Sequence, residues 1–203
     1  MSDSLYLSLW FPRFGPEDML ARTRCVLEQF PASSQHPGIT QVEAHGIAWN
    51  EAVVFEDRFK PGLPPAQAFE LVREFAQPDH GFIFEAWWDL WAPSGEADPE
   101  NPEAHWIDQP MAVTFLVNGT DFHDGAHEDE GHVRVDFGLD SSFLYEEEQY
   151  TPDLEARVRV NVAKLIAFTL AVEKNCKPAS RLLWSESEET LVQKLIARLQ
   201  KVQ

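Results

Sequence analysis

The order of strand-like and helix-like segments over the first 91 residues restricts this chain's fold more than any other feature. Residues 4–11 alternate Leu5, Leu7 and Leu9 with Tyr6, Ser8 and Trp10, the period of two that marks a strand with one buried face. Gly15-Pro16-Glu17-Asp18 opens a helix, with proline and acids in its first turn. Met19, Leu20, Thr23, Val26, Leu27 and Phe30 then recur at helical spacing, and Pro31 stops them. Residues 39–49 and 52–59 are rich in Val, Ile, Trp and Phe and read as two strands, joined near His45-Gly46 or near Asn50-Glu51. Pro61-Gly62-Leu63-Pro64-Pro65 opens a second helix, with Ala68, Leu71, Val72, Phe75 and Ala76 on its apolar face. Residues 81–91 form the strongest strand. The resulting order, β-α-β-β-α-β, is that of a ferredoxin-like sheet, in which two helices cover one face and leave the other open.

The rest of the chain extends that unit. Residues 92–110 are acidic, proline-rich and without period, which predicts a long loop. Residues 111–117 and 132–139 read as two further antiparallel strands. Thr151-Pro152-Asp153 starts a long helix with a threonine cap, and Lys174-Asn175-Cys176-Lys177-Pro178 ends it. Ser185-Glu186-Ser187-Glu188 has the form of a capping box for a last helix. The expectation is one compact α+β domain over residues 1–203. It comprises a ferredoxin-like βαββαβ subdomain (1–91), the loop (92–110), added strands (111–148) and a segment of two C-terminal helices (151–203).

Charge is distributed unevenly. The 16 basic and 34 acidic residues give −18 overall. Residues 79–148 hold 18 of the acids and a single base, Arg134. An acidic surface disfavours nucleic acid and anionic membranes as partners, since both require cationic patches. It favours a basic protein partner, and the basic C-terminal segment is a natural dock for the acidic body. No basic leader precedes a long apolar run, so a signal peptide is not expected. Cys25 and Cys176 stand 151 positions apart with no CxxC. They read as unpaired packing residues in a reduced, cytoplasmic protein. Asn118-Gly119-Thr120 fits a turn better than a glycosylation site.

Two constellations carry candidate chemistry. The first is the loop 121–132, where His123, Asp124, His127, Glu128 and His132 supply imidazole and carboxylate donors suited to a divalent metal. Its spacing is HExxxH rather than HExxH, and its glycines favour an acidic hairpin loop. The second is one face of the 81–91 strand, Glu85, Trp87, Asp89 and Trp91, set beside Tyr6 and Trp10 if ferredoxin-like pairing holds. Glu85 and Asp89 lie ~13 Å apart along a strand, too far for a glycosidase pair. GxSxG, GxGxxG and P-loop motifs are absent from the sequence. The reading is therefore a non-catalytic binding or protein-interaction module with no expected cofactor, acting as a homodimer or on a basic partner. Two alternatives stay open: a metal-dependent hydrolase using the 121–132 loop, and a small-ligand binder on the aromatic sheet face.

Overall fold

A computed structural model describes residues 2–94, 106–145, 151–186, 191, 193 and 194. Its elements are β1 (Ser4–Trp10), α1 (Pro16–Glu28), β2 (Ile39–Gly46), β3 (Val53–Leu63), α2 (Pro65–Leu71), β4 (His80–Pro93), β5 (Trp106–Asn118), α3 (His127–Glu130), β6 (Val133–Leu139), α4 (Ser141–Leu144), α5 (Pro152–Cys176) and β7 (Ser180–Ser185). The strands form one seven-stranded sheet in the order β3-β2-β4-β5-β6-β1-β7, and every pair is antiparallel.

The α+β class holds, but the ferredoxin-like sheet does not. That fold would place β1 beside β4. Here β5 runs the full length of β4, from Gly81 opposite Asn118 to Pro93 opposite Trp106. It therefore takes the neighbouring position, and β6 follows it. β1 closes instead on β6 and β7. Of the expected loop 92–110, Ala92 and Pro93 belong to β4 and residues 106–110 to β5; residues 95–105 lie outside the described residues. So does most of the expected last helix. Ser185 ends β7, a strand that periodicity does not reveal.

Alternation dictates which face is buried. Leu5, Leu7 and Leu9 of β1, Phe82, Phe84, Ala86, Trp88 and Leu90 of β4, and Val133, Val135 and Phe137 of β6 all point into one core. Met19, Val26 and Leu27 of α1, Ala68 and Phe69 of α2, Phe143 of α4 and Leu165, Phe168 and Val172 of α5 enter the same core. These helices thus share one side of the sheet. Among the described residues, no helix is long and apolar enough to cross a membrane.

α5 also seals a sheet edge. β2 begins opposite Ala86, so among the described residues β4 beyond that point has no strand partner on that side. Its outward backbone groups must bond elsewhere. Ser33 N donates to Trp87 O at 2.6 Å, and Lys164 Nζ donates to Asp89 O at 2.5 Å. Asn161 accepts from Trp91 N at 2.9 Å and donates to Trp91 O at 2.9 Å. Asn161 and Lys164, the polar residues that interrupt the apolar run 160–172 of α5, are therefore among the groups that bind this edge. The helix starts as expected, with Thr151 Oγ1 accepting from Leu154 N at 3.1 Å.

Two links join the ends of the chain to the body. Lys194 Nζ, nearly buried, bonds Asp3 Oδ2 at 2.5 Å and Asp140 Oδ2 at 2.6 Å. Burial disfavours the ammonium, but the two carboxylates outweigh it and hold the lysine above its usual range. Cys25 of α1 and Cys176 at the end of α5 are disulfide-bonded, with Cα atoms 5.7 Å apart. The expectation of two unpaired cysteines is thereby overturned: spacing along the chain says nothing about two helices that pack side by side.

Candidate functional site

The face of the sheet away from the core, which among the described residues is met by a helix at its 121–132 end, is ordered by register into two rows that cross all seven strands. The first runs Arg58, Gln41, Glu85, Thr114, Asp136, Tyr6, Trp184. The second runs Glu56, Glu43, Ile83, Leu116, Arg134, Ser8, Leu182. Members of one strand differ by two positions, so both rows face away from the core.

The expected aromatic site is split across this face. Glu85, Trp87, Asp89 and Trp91 do share a side of β4. Tyr6 and Trp10 share the same face on β1, but β5 and β6 intervene, and three strand spacings make about 14 Å. The β4 half is tied up internally. Glu85 Oε1 accepts from Thr40 Oγ1 at 2.7 Å and from Trp87 Nε1 at 3.1 Å. Trp87 also meets the His36 ring at 4.9 Å. Asp89, barely exposed, accepts from Ser33 Oγ at 2.5 Å, Ser34 N at 2.8 Å and Ser34 Oγ at 2.9 Å. Burial works against its charge, yet those bonds and Lys164 hold its carboxyl below the usual range. Asp89 is thus an anchor for the 33–36 loop. Trp91 lies under the Arg157 guanidinium at 4.0 Å.

The β1 half joins β7. Tyr6 and Trp184 rings lie 4.6 Å apart, and Trp184 Nε1 donates to Ser8 Oγ at 3.0 Å. Arg134 sits 5.4 Å from the Tyr6 ring and pairs with Glu130 at 2.7 Å. Trp10 Nε1 donates to Glu128 O at 3.1 Å. Sequence reasoning missed Trp184 and Leu182, because β7 is short and its pairing with β1 spans nearly the whole chain.

The 121–132 loop sits at one end of the sheet and divides its histidines. His127 and His132 rings stack 4.8 Å apart with a 23° interplanar angle. Their nitrogens therefore lie in near-parallel planes and do not converge on one point. His132 Nδ1 accepts from Phe11 N at 3.0 Å. His123 lies apart, beside Trp49, whose backbone N donates to His123 Nδ1 at 3.4 Å. Asp124 and Glu128 are exposed. Among the described residues, no group of three or more His, Cys, Asp or Glu side chains is placed to hold a metal ion. Asn118 is buried and donates to Gly131 O at 2.9 Å. Gly119 packs so tightly that a Cβ there would meet Pro78 O at 2.2 Å. Both fit the turn reading of this segment.

The same end holds backbone strain that no motif signals. Ile47, His123 and Asp124 adopt φ of 69°, 51° and 54°, a region disfavoured for side-chain-bearing residues and above all for β-branched ones. His123 N donates to Ile47 O at 2.6 Å, so two of the strained residues support one another.

Burial and the neighbouring His127 lower the pKa of His132 to about 4. An unfolded chain protonates this histidine near pH 6.5, so its contribution to stability is complete above that pH and declines as pH falls toward 4. The loss should be on the order of 2 kcal/mol, below the full shift because the ring is only partly buried. His132→Asn keeps an acceptor for Phe11 N but cannot titrate. Urea unfolding at pH 7.5 and 4.5 should show a smaller pH dependence in the variant; equal slopes would refute this assignment.

No protein-family model, curated protein or solved structure matches the chain.

Proposed function

We propose that the chain is a non-catalytic protein-interaction module, and that it docks its partner on the sheet face away from the core. The observation that carries this reading is that four of the seven tryptophans, Trp10, Trp87, Trp91 and Trp184, share that face with Tyr6. Tryptophan, tyrosine and arginine are the residues that concentrate binding energy at protein interfaces. Leu182 on the same face is 53% exposed and adds an apolar group beside Tyr6 and Trp184. The carboxylates of the face support a non-catalytic role, since Glu85 and Asp89 are already engaged in hydrogen bonds within the fold.

Photo-crosslinking tests this reading. A photoreactive amino acid replaces Leu182 on the face or, as a control, Ile166, which is 50% exposed on α5. In cells expressing the full chain, position 182 should yield a discrete protein adduct and position 166 none. Equal labelling from both positions, or none from 182, would count against the face as a docking surface.

A further inference from the structure

We infer that the docking partner is a second copy of this chain, stacked sheet to sheet about a two-fold axis that runs across the strands between the two rows. The inference rests on the proposed docking role of the sheet face away from the core and gives that role a partner.

The two rows hold one residue each from every strand, two positions apart on the same face. A two-fold axis midway between them leaves the strand order unchanged and exchanges the rows. Arg58 then faces Glu56 of the other copy, and Asp136 faces Arg134. Trp184 faces Leu182, Thr114 faces Leu116, Gln41 faces Glu43 and Glu85 faces Ile83, while Ser8 lies buried beneath Trp184 and leaves Tyr6 opposite that tryptophan's edge. Symmetry repeats each contact, as an isologous interface requires. Both charge pairs are attractive and no like charges are opposed. The other in-plane axis, parallel to the central strand β5, sets Glu85 against Asp136 twice. Like-charge contacts of that kind disfavour an arrangement.

Charge also favours a copy over a basic partner. The two rows carry Arg58 and Arg134 against Glu43, Glu56, Glu85 and Asp136, a balance of −2 in a chain of −18. The two rows are thus nearly neutral, and most of the repelling charge lies outside them. A Debye length of about 8 Å at physiological salt screens charges beyond that range.

The area is adequate. Six strand spacings by roughly six residues of strand give a face of about 29 by 20 Å, on the order of 600 Å² in projection. Side-chain relief brings the accessible surface toward the ~800 Å² per partner of a standard interface. Edge-to-edge association is less suited. The outer strand β3 carries Glu56, Asp57, Arg58 and Pro61, and charge and proline guard sheet edges against pairing.

Sedimentation equilibrium on the full oxidised chain from 1 to 100 µM tests the inference. Twice the monomer mass should be reached within that range. Leu116→Arg, at the centre of the face, should weaken association at least thirtyfold. Arg58→Glu should weaken it about tenfold, and adding Glu56→Arg should restore it. Arg58 and Glu56 are well exposed on the outer strand, so this pair reads association even if Leu116→Arg fails to fold. A monomer at 100 µM overturns the inference. So does a dimer indifferent to the Arg58 and Glu56 exchange. A monomer whose position 182 crosslinks to a different protein removes the second copy but keeps the docking face. A monomer with no adduct at 182 removes both.

Discussion

Reducing the Cys25–Cys176 bond should lower the unfolding free energy by about 4 kcal/mol. The bond closes a loop of 151 positions. In the chain-entropy treatment a loop of that size restricts the unfolded ensemble by roughly 5 kcal/mol, and measured bonds commonly deliver 2–4. The native state loses little, because Cys176 is buried and its helix is held by Leu165, Phe168 and Val172 in the common core. Cys25 is only partly buried and lines a groove of about 730 Å³ between α1 and α2, so reductant has access to that sulfur. Urea unfolding with and without reductant measures the effect. The midpoint should fall by about 1.5–2 M, at a slope near 2 kcal/mol/M. The slope itself should rise, since the unlinked chain expands further on unfolding. The chain has two cysteines, so Cys25→Ser combined with Cys176→Ser should match the reduced protein and ignore reductant. Identical midpoints in both conditions would show that the link contributes nothing.

Elements whose signal is local are legible in the sequence, and strand pairing is not. The Pro16 start of α1, the threonine cap of α5 and the alternation of β1 and β4 are each written in a few neighbouring residues. Which strand lies beside which is not. The order β-α-β-β-α-β is compatible with a ferredoxin-like sheet only if nothing competes for the edge of β4. β5 competes, with thirteen residues of strand, five of them hidden in a proline-rich stretch that reads as loop. β7 escaped for a related reason. Ser180–Ser185 is six residues long and depends on β1, some 175 positions away, for its backbone partners.

The candidate site was half legible for the same reason. Alternation assigned Glu85, Trp87, Asp89 and Trp91 to the face away from the core, and Tyr6 with Trp10 to the same side of β1. Distance between the two sets was not available without the sheet order, and the structure puts it near 14 Å. Nor does spacing foresee that Ser33 and Ser34 claim Asp89, or that His132 turns its Nδ1 to Phe11 N. The two rows across the sheet appear only once register is known, because they combine residues from both ends of the chain.

Asn161→Leu tests how far that edge sealing holds the sheet together, and it should cost about 3–4 kcal/mol. Asn161 is buried and makes three bonds: it accepts from Trp91 N and donates to Trp91 O and Ser142 O, at 2.8–2.9 Å. Leucine fills the space and makes none of them. Trp91 O keeps the Tyr145 hydroxyl at 2.6 Å. Trp91 N and Ser142 O lose the bonds Asn161 gives them, and each such buried group costs about 1–3 kcal/mol. Hydrogen exchange should quicken first at the Trp91 amide and along residues 87–93. A packing role alone predicts the opposite, since leucine would then be neutral. Asn161→Asp separates the two further. Its oxygens would face Trp91 O and Ser142 O without protons, so at pH 7 it should destabilise at least as much as leucine. Protonating the buried carboxyl supplies one donor, so part of that loss should return as the pH is lowered. Recovery at low pH in Asn161→Asp, absent in Asn161→Leu, would identify hydrogen bonding to the free edge of β4 as the reason an asparagine stands in the apolar face of this helix.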